Sequence, residues 1–203
     1  MIRLPVNARA LAAALCVTLM LFGCATRVER IDVEETRDLS GEWNDTDSRL
    51  VSEEMVRDLL ARPWLDKFIN EKGNLPAVIV GEVRNLSHEH INVGTFVGDI
   101  ERELLNSGGV QFVASKSERG QIREERKDQE LNASAETAKR MGEELGADFM
   151  LQGAINTILD TEGKEQVRYY QVDLSLISLA DNRKVWAGQK KIKKFVKKNS
   201  IRW

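Results

Sequence analysis

The two histidines of the chain lie two residues apart, in the segment His88-Glu89-His90. In an extended segment this spacing places two imidazole rings on one side of the backbone, an arrangement that can bind a transition metal. The same residues could instead contact a partner protein, or they could be solvent-exposed loop residues, which is the interpretation we favour. A hydrolase would need a histidine beside a nucleophile, and no nucleophile-elbow motif occurs in the sequence. We therefore predict neither a metal site nor a catalytic centre.

The acidic and glycine-containing segments do not predict an active site either. Acidic residues are frequent in 118–128, but that segment has almost no apolar residues, so a carboxylate pair tuned for acid–base catalysis is not expected. The glycines within 94–98 and 108–109 lack the lysine of a P-loop and the third glycine of a dinucleotide-binding fingerprint. We expect no cofactor and no small-molecule substrate.

The amino-terminal segment has the features of a secretion signal that ends in a lipidation site. Basic residues precede a nearly uninterrupted apolar run over 10–22, and Leu21-Phe22-Gly23-Cys24 resembles a bacterial lipobox, although Phe22 departs from the usual small residue. Cleavage before Cys24 would leave an acylated cysteine, and each buried methylene contributes about 0.8 kcal/mol to membrane binding. Ala25, where an aspartate would resemble an inner-membrane retention signal, favours the periplasmic face of the outer membrane. The alternative is an ordinary cysteine at this position.

Composition and charge predict one folded domain after this signal. The 203 residues are 42% apolar and 31% charged, with a formal net charge of -2. Such a chain can bury a core, and its nearly balanced charge excludes a protein that coats nucleic acid. We expect a signal peptide over 1–23, the lipidated Cys24 and a flexible linker over 24–47, and a globular domain with a basic carboxyl end over 48–203.

Helical spacing of apolar residues predicts that this domain begins with two short helices. The first follows Asp47 and Ser48, which can cap it, and ends at Pro63; the second ends at Gly73. The unbroken apolar run over 77–83 predicts a strand buried on both faces. A helix over 93–104 and a strand over 110–113 follow, which together predict a parallel strand–helix–strand crossover.

The second half predicts an antiparallel meander. A polar segment over 115–130 indicates a mobile helix or loop, and a cleaner helix is predicted over 134–145. Strands are predicted over 149–158, 166–179 and 184–194, where apolar and polar residues alternate or turn residues intervene. The predicted fold class is an α/β (α+β) sandwich with a mixed sheet of about five strands.

The carboxyl end carries the strongest charge bias. Residues 183–203 include nine lysines and arginines and no acidic side chain. They could form a tail that binds anionic lipid headgroups, cell-wall polymers or an acidic protein, or a lysine-bearing edge strand that blocks sheet-to-sheet pairing. We favour the edge strand for 190–194. Of the adjacent Tyr169 and Tyr170, one is expected to pack inward and the other to be an exposed partner anchor.

Five short strings, in this order along the chain, resemble the LpoB family of lipoprotein activators of penicillin-binding proteins. The resemblance extends from about Leu50 to Lys194, and the lipobox strengthens it. The strings are Val80-Gly81-Glu82-Val83-Arg84-Asn85-Leu86-Ser87-His88-Glu89-His90-Ile91, Leu105-Asn106-Ser107-Gly108, Arg123-Glu124-Glu125-Arg126, Gly146-Ala147-Asp148-Phe149-Met150-Leu151-Gln152-Gly153 and Val185-Trp186-Ala187-Gly188.

This resemblance implies a non-catalytic lipoprotein tethered to the outer membrane, with a fold similar to the amino-terminal domain of TolB. It also implies docking onto a regulatory domain of a class A penicillin-binding protein, a bifunctional peptidoglycan synthase, and stimulation of its glycan polymerisation and crosslinking. The best-known members have a long, proline-rich linker, whereas the linker here is short and nearly free of proline. The same fold could therefore serve a different envelope partner in assembly.

From these observations we expect the partner-binding surface in the loop that follows the first strand. The expected contact residues are Asn85, Ser87, His88 and His90, with Tyr169 as a further anchor.

Overall fold

The computed structural model describes residues 27–133 and 144–198. The predicted signal peptide, Cys24, nearly all of the predicted helix over 134–145 and the last five residues lie outside these ranges. Residues 27–35 belong to a unit separate from the one that begins at Thr36, and they contain a turn in which Asp32 accepts hydrogen bonds from the following backbone. The elements are α1 (Asp45–Leu60), α2 (Pro63–Lys72), β1 (Ala77–Leu86), α3 (Val93–Ser107), β2 (Gln111–Phe112), α4 (Lys116–Asn132), β3 (Phe149–Glu162), β4 (Glu165–Ser178) and β5 (Lys184–Lys197).

The five strands form one mixed sheet in the order β2-β1-β3-β4-β5. Strand β1 pairs parallel with both β2 and β3, and β3, β4 and β5 pair antiparallel, which confirms the predicted parallel crossover and meander. The α+β fold class is therefore confirmed. The hairpin of β3 and β4 is longer than predicted, because pairing continues to Glu162 and Glu165 through polar residues that break the apolar pattern.

Helices α1 and α3 pack against one face of the sheet, which we call the inner face. Strand β4 alternates strictly, so that its even-numbered residues from Tyr170 onward are buried and its odd-numbered ones are half-buried. Tyr170 is fully buried, which agrees with the prediction that one tyrosine of the pair packs inward. Tyr169 lies on the opposite, outer face and is half-buried, so it is less exposed than predicted. The largest fully buried side chains of the inner layer include Phe96, Ile100, Leu104, Leu59, Leu151, Ile155 and Leu174.

The amino-terminal end of α1 differs from the sequence prediction. Asn44, not Asp47 or Ser48, caps the helix, and Asp47 completes a capping box as its carboxylate accepts from the Asn44 N–H. Trp43 donates its indole N–H to Ser48 at 2.8 Å and packs edge-on against Tyr170. The packed part of the chain thus begins before residue 48, because a tryptophan that precedes the helix has a place in the core.

Helix α4 confirms the polar character predicted for 115–130 and shows that the segment is helical. Ser115 and Glu118 form a capping box at its start, and none of its residues is buried. Local capping and charged side chains therefore stabilise this helix, and the apolar core does not depend on it.

Two glycines of this fold differ in the space around them, so substitution by alanine should have opposite effects on stability. A Cβ at Gly153 would lie 2.0 Å from the Asp173 carbonyl oxygen, whereas a Cβ at Gly98, in the middle of α3, would meet no heavy atom within 4 Å. We expect Gly153→Ala to lower the free energy of unfolding by about 2 kcal/mol or more, because neighbouring strands must separate. Gly98→Ala should instead raise it by about 0.5 to 1 kcal/mol, through a lower entropy of the unfolded chain. Urea denaturation of both variants measures this, and equal losses in the two would contradict it.

Candidate functional site

Hydrogen bonds from Asn85, near the end of β1, and from Ser87 hold the loop that joins β1 to α3 in one shape. The Asn85 carboxamide oxygen accepts from the Ser87 N–H at 3.0 Å and from the Ser87 hydroxyl at 2.6 Å. The Asn85 amide group donates to the Glu89 carbonyl oxygen at 2.8 Å. Asn85 and Ser87, which the sequence predicts as partner contacts, are therefore half-buried residues that also shape the loop.

Glu89 points away from the loop surface into the protein. Its two carboxylate oxygens lie 2.7 and 2.8 Å from the Tyr170 hydroxyl, and the Arg168 guanidinium donates to one of them at 2.8 Å. The Trp43 backbone N–H donates to the other at 3.1 Å. The Glu89 and Arg168 side chains are only 10% and 13% exposed, so they form a largely buried ion pair. The carboxylate oxygen that does not accept from Arg168 is satisfied by neutral donors.

The inward direction of Glu89 directs its two neighbours outward. His88 and His90 are exposed on either side of it, and the His88 N–H donates to the Thr157 hydroxyl of β3 at 3.2 Å. The loop thus presents two imidazole rings on a backbone that is fixed at both ends. Within 27–133 and 144–198, no group of three or more His, Cys, Asp or Glu side chains is arranged to hold a metal ion.

Burial and the Glu89 carboxylate change the acidity of Tyr170. Desolvation is the larger cause and the hydrogen bond to Glu89 the second, and together they raise the pKa of the Tyr170 hydroxyl well above its usual value. The hydroxyl stays protonated as a donor to Glu89 throughout the physiological range. This phenol is a structural hydrogen-bond donor.

A second buried charge holds the segment 38–43, which we call the strap. The Lys194 ammonium donates to the carboxylates of Asp38 at 2.7 Å and Asp47 at 2.6 Å, and to the Glu42 carbonyl oxygen at 3.2 Å. Lys194 is 12% exposed and Asp47 8%. The Gly41 carbonyl oxygen lies 3.3 Å from the Tyr170 hydroxyl, which brings the strap over the inner face. The last part of the predicted flexible linker is thereby packed against the domain.

The lysines of β5 divide between the two faces of the sheet. This strand is at the edge of the sheet, as the sequence predicts. Lys190 and Lys194 lie on the inner face and pair with acidic residues of α1, Glu54 and Asp47 respectively. Their role as edge protection is therefore only part of the explanation, since they also attach the strand to the helix layer.

Tyr169 lies on the face of the sheet opposite Tyr170 and the strap. Its neighbours in register are Ile158 of β3 and Lys193 of β5, and its hydroxyl lies 3.2 Å from the Gln171 side-chain oxygen. The structure thus places Ser87, His88 and His90 in one loop and Tyr169 on the outer face. Asn85, which the sequence predicts in that loop, lies instead near the end of β1 and is hydrogen-bonded to the loop. Sequence reasoning missed Glu89 and Arg168, although Arg168 and Tyr170, two apart in a strand, share a face with Lys194 on β5.

The fold and this loop define an α+β domain in which helices α1 and α3 cover one face of a mixed sheet and the first βα loop is exposed and held by hydrogen bonds. Across the same described ranges no helix is both long and apolar enough to cross a membrane. A family model described as "Peptidoglycan-synthase activator LpoB" matches residues 47–192. The chain therefore belongs to the LpoB family of peptidoglycan-synthase activators, which confirms the resemblance seen in the sequence.

Several solved structures are similar to this chain at low sequence identity. The carboxyl-terminal domain of LpoB from Salmonella enterica is 17% identical, with a TM-score of 0.34, over 65% of this chain and 94% of that one. LpoB from Escherichia coli, in an NMR structure, is 14% identical, with a TM-score of 0.38, over 87% of this chain and 83% of that one. Lipoprotein GNA1162 from Neisseria meningitidis is 12% identical, with a TM-score of 0.37, over 59% and 83%. No curated protein matches the sequence.

The raised pKa of Tyr170 predicts a loss of stability in alkali. Tyrosine in the unfolded chain ionises near pH 10, below the folded value, so this stabilisation is complete below about pH 10 and declines as pH rises beyond it. We expect Tyr170→Phe to be about 1 kcal/mol less stable at neutral pH, since Glu89 loses a donor. Above pH 10 its stability should decline less steeply than that of the wild type. Urea denaturation across pH measures both slopes; Tyr169→Phe is the matched control and should keep the wild-type slope.

The strap depends on Lys194, and a substitution of this residue should release it. We expect Lys194→Met to lower the free energy of unfolding by about 3 kcal/mol, because Asp47 keeps a buried charge without its cation. In this variant the backbone amides of 38–44 should exchange with solvent faster than they do in the wild type, whereas those of α3 should keep their wild-type rate. Lys193→Met, on the outer face of the same strand, should change stability by less than about 0.5 kcal/mol. Hydrogen exchange read by mass spectrometry checks this, and unchanged protection of 38–44 in the Lys194 variant would show that other contacts hold the strap.

Proposed function

We propose that this protein is a non-catalytic lipoprotein that binds a class A penicillin-binding protein and stimulates its synthesis of peptidoglycan. It acts from the periplasmic face of the outer membrane, to which acyl chains on Cys24 attach it. The observation that carries this proposal is membership of the LpoB family across residues 47–192. The lipobox at Leu21-Phe22-Gly23-Cys24 supports the anchor.

The loop that carries His88 and His90 suits the partner contact because it is ordered before binding. Asn85, Ser87 and Thr157 fix its backbone, and Glu89 attaches it to β4. A surface that is already ordered loses little conformational entropy on association, so more of the contact energy appears as affinity. Half-buried Tyr169 offers an aromatic anchor on the outer face.

Stimulation without chemistry requires that the domain distinguish two states of its partner. A protein that binds the active conformation of a synthase more tightly than the inactive one shifts the population toward activity by that difference in affinity. A rigid loop favours such discrimination, since it cannot adapt to both conformations. No group of this chain needs to enter the synthase active site.

The length of the tether favours a second candidate. The strap attaches the chain to the domain at Asp38, so residues 25–37 are what separates Cys24 from that attachment. That segment spans at most about 45 Å, against about 80 Å for the whole linker predicted from sequence. A shorter reach favours a partner close to the anchoring membrane, such as an envelope-assembly component.

A pull-down from solubilised envelopes tests the function, with the full lipidated protein as bait. We expect recovery of a class A synthase and faster glycan polymerisation when the protein is added to it. The double variant His88→Ala/His90→Ala should weaken that binding at least about tenfold, as expected for loss of central contacts. Its unfolding free energy should stay within about 0.5 kcal/mol of the wild type, since both side chains are exposed.

The controls separate the function from the site. Gln121→Ala/Glu124→Ala removes two exposed side chains from α4 and should leave affinity unchanged. If the histidine variant binds as well as the wild type, the contact lies on another surface, and Tyr169→Ala would be the next variant to test. Recovery of an assembly component and no synthase by the wild type would establish the second candidate.

A further inference from the structure

The end of the β3–β4–β5 meander that contains the β3–β4 hairpin exposes an apolar and basic surface on its outer face. We call it the outer-face patch and define it by side chains that strand register places side by side. Ile158 and Phe195 are 64% and 63% exposed, which is unusual for large apolar residues on a sheet. The patch comprises Ile158, Val167, Tyr169, Lys191, Lys193 and Phe195.

The two lysines of the patch differ from their neighbours on the same strand. Lys190 and Lys194 are ion-paired on the inner face, whereas Lys191 and Lys193 have no hydrogen bond or ion pair among residues 27–133 and 144–198. Lys193 lies opposite Tyr169 and next to Phe195. Two uncompensated ammonium groups thus lie beside the exposed side chains of Ile158 and Phe195, a combination that fits an anionic surface with an apolar interior.

Acidic groups surround this surface without neutralising it. Asp160 lies in the row of Val167 and Phe195, and Glu165 at the tip of the hairpin pairs with Lys197 at 2.7 Å. Asp173, further along β4, accepts a hydrogen bond from Gln189 at 2.8 Å. The central row of Ile158, Tyr169 and Lys193 contains no acidic residue.

The strap places the chain that arrives from Cys24 at this same end of the sheet. Lys194, which holds Asp38 at 2.7 Å, is the residue between Lys193 and Phe195. The residues between Cys24 and Asp38 can span at most about 45 Å. An anchor at Cys24 therefore keeps the outer-face patch close to the membrane surface at a high effective concentration.

We propose that the outer-face patch docks on the anionic bilayer surface that holds the lipid anchor. Each lysine near an anionic leaflet contributes about 1 kcal/mol, and Phe195 and Tyr169 suit the interface between headgroups and acyl chains. Such a contact is weak by itself, but the lipid anchor holds the patch near the membrane, and the high effective concentration favours binding. The inference rests on the anchor at Cys24 that the proposed function includes, and it does not depend on the identity of the protein partner.

Chemical footprinting of lysines tests this in the unmodified protein. The full lipidated chain is reconstituted in vesicles of phosphatidylcholine alone or mixed in equal parts with phosphatidylglycerol, and acetylation of each lysine is followed by mass spectrometry. We expect acetylation of Lys191 and Lys193 to slow about tenfold on the anionic vesicles relative to the neutral ones. Lys116 and Lys127, exposed on α4, are the internal controls and should react equally on both.

A variant checks that the apolar part of the patch contributes. Phe195→Ser removes an exposed ring without opening the core, and it should restore most of the acetylation of Lys191 on anionic vesicles.

Two outcomes of the footprinting experiment would overturn the inference. One is equal acetylation rates on both vesicle types. The other is protection that appears only when a synthase is added, which would assign the patch to a protein partner. Failure of the chain to float with neutral vesicles would disprove the anchor and this docking together, whereas failure to bind a synthase would affect only the proposed function.

Discussion

The buried carboxylate of Glu89 joins three parts of the chain that are far apart in sequence. It accepts hydrogen bonds from the backbone that precedes α1, from Arg168 and from Tyr170. A buried ion pair often contributes little net stability, because desolvation offsets the Coulomb attraction. Its effect here is geometric, since a carboxylate that must be satisfied at this place fixes the loop, the strap and β4 relative to one another.

Lys194 applies the same constraint from the edge of the sheet. Its ammonium fixes Asp38 and Asp47, so the end of the tether and the start of α1 are attached to β5. The two largely buried cations, Arg168 and Lys194, lie on neighbouring strands and pair in register. These contacts connect the strap, the start of α1 and the β1–α3 loop to the sheet.

This arrangement assigns different tasks to the two faces of the far end of the sheet. The inner face uses its charged side chains for internal pairing, and the outer face leaves Lys191 and Lys193 uncompensated beside exposed apolar residues. The exposed histidines occupy a third position, in the loop beside β3. A domain built in this way can meet a protein with the histidine loop and a membrane with the outer-face patch, and Tyr169 is the one residue that the two proposals share.

The sequence by itself determined the order of α1, α2, α3 and the five strands, the parallel crossover, the edge position of β5 and the exposure of His88 and His90. The spacing of apolar residues along the chain indicates which face of a helix or strand is buried, and turn residues mark where these elements end. Both signals come from residues that are close together in sequence. Only the tertiary structure decided that Glu89 turns inward, that Asn85 and Ser87 shape the loop, and that the end of the linker packs as a strap. Glu89 and Tyr170 are 81 residues apart, and Asp38 and Lys194 are 156 apart. No periodic pattern connects such distant residues, because the contact between them exists only after the sheet has brought their strands together.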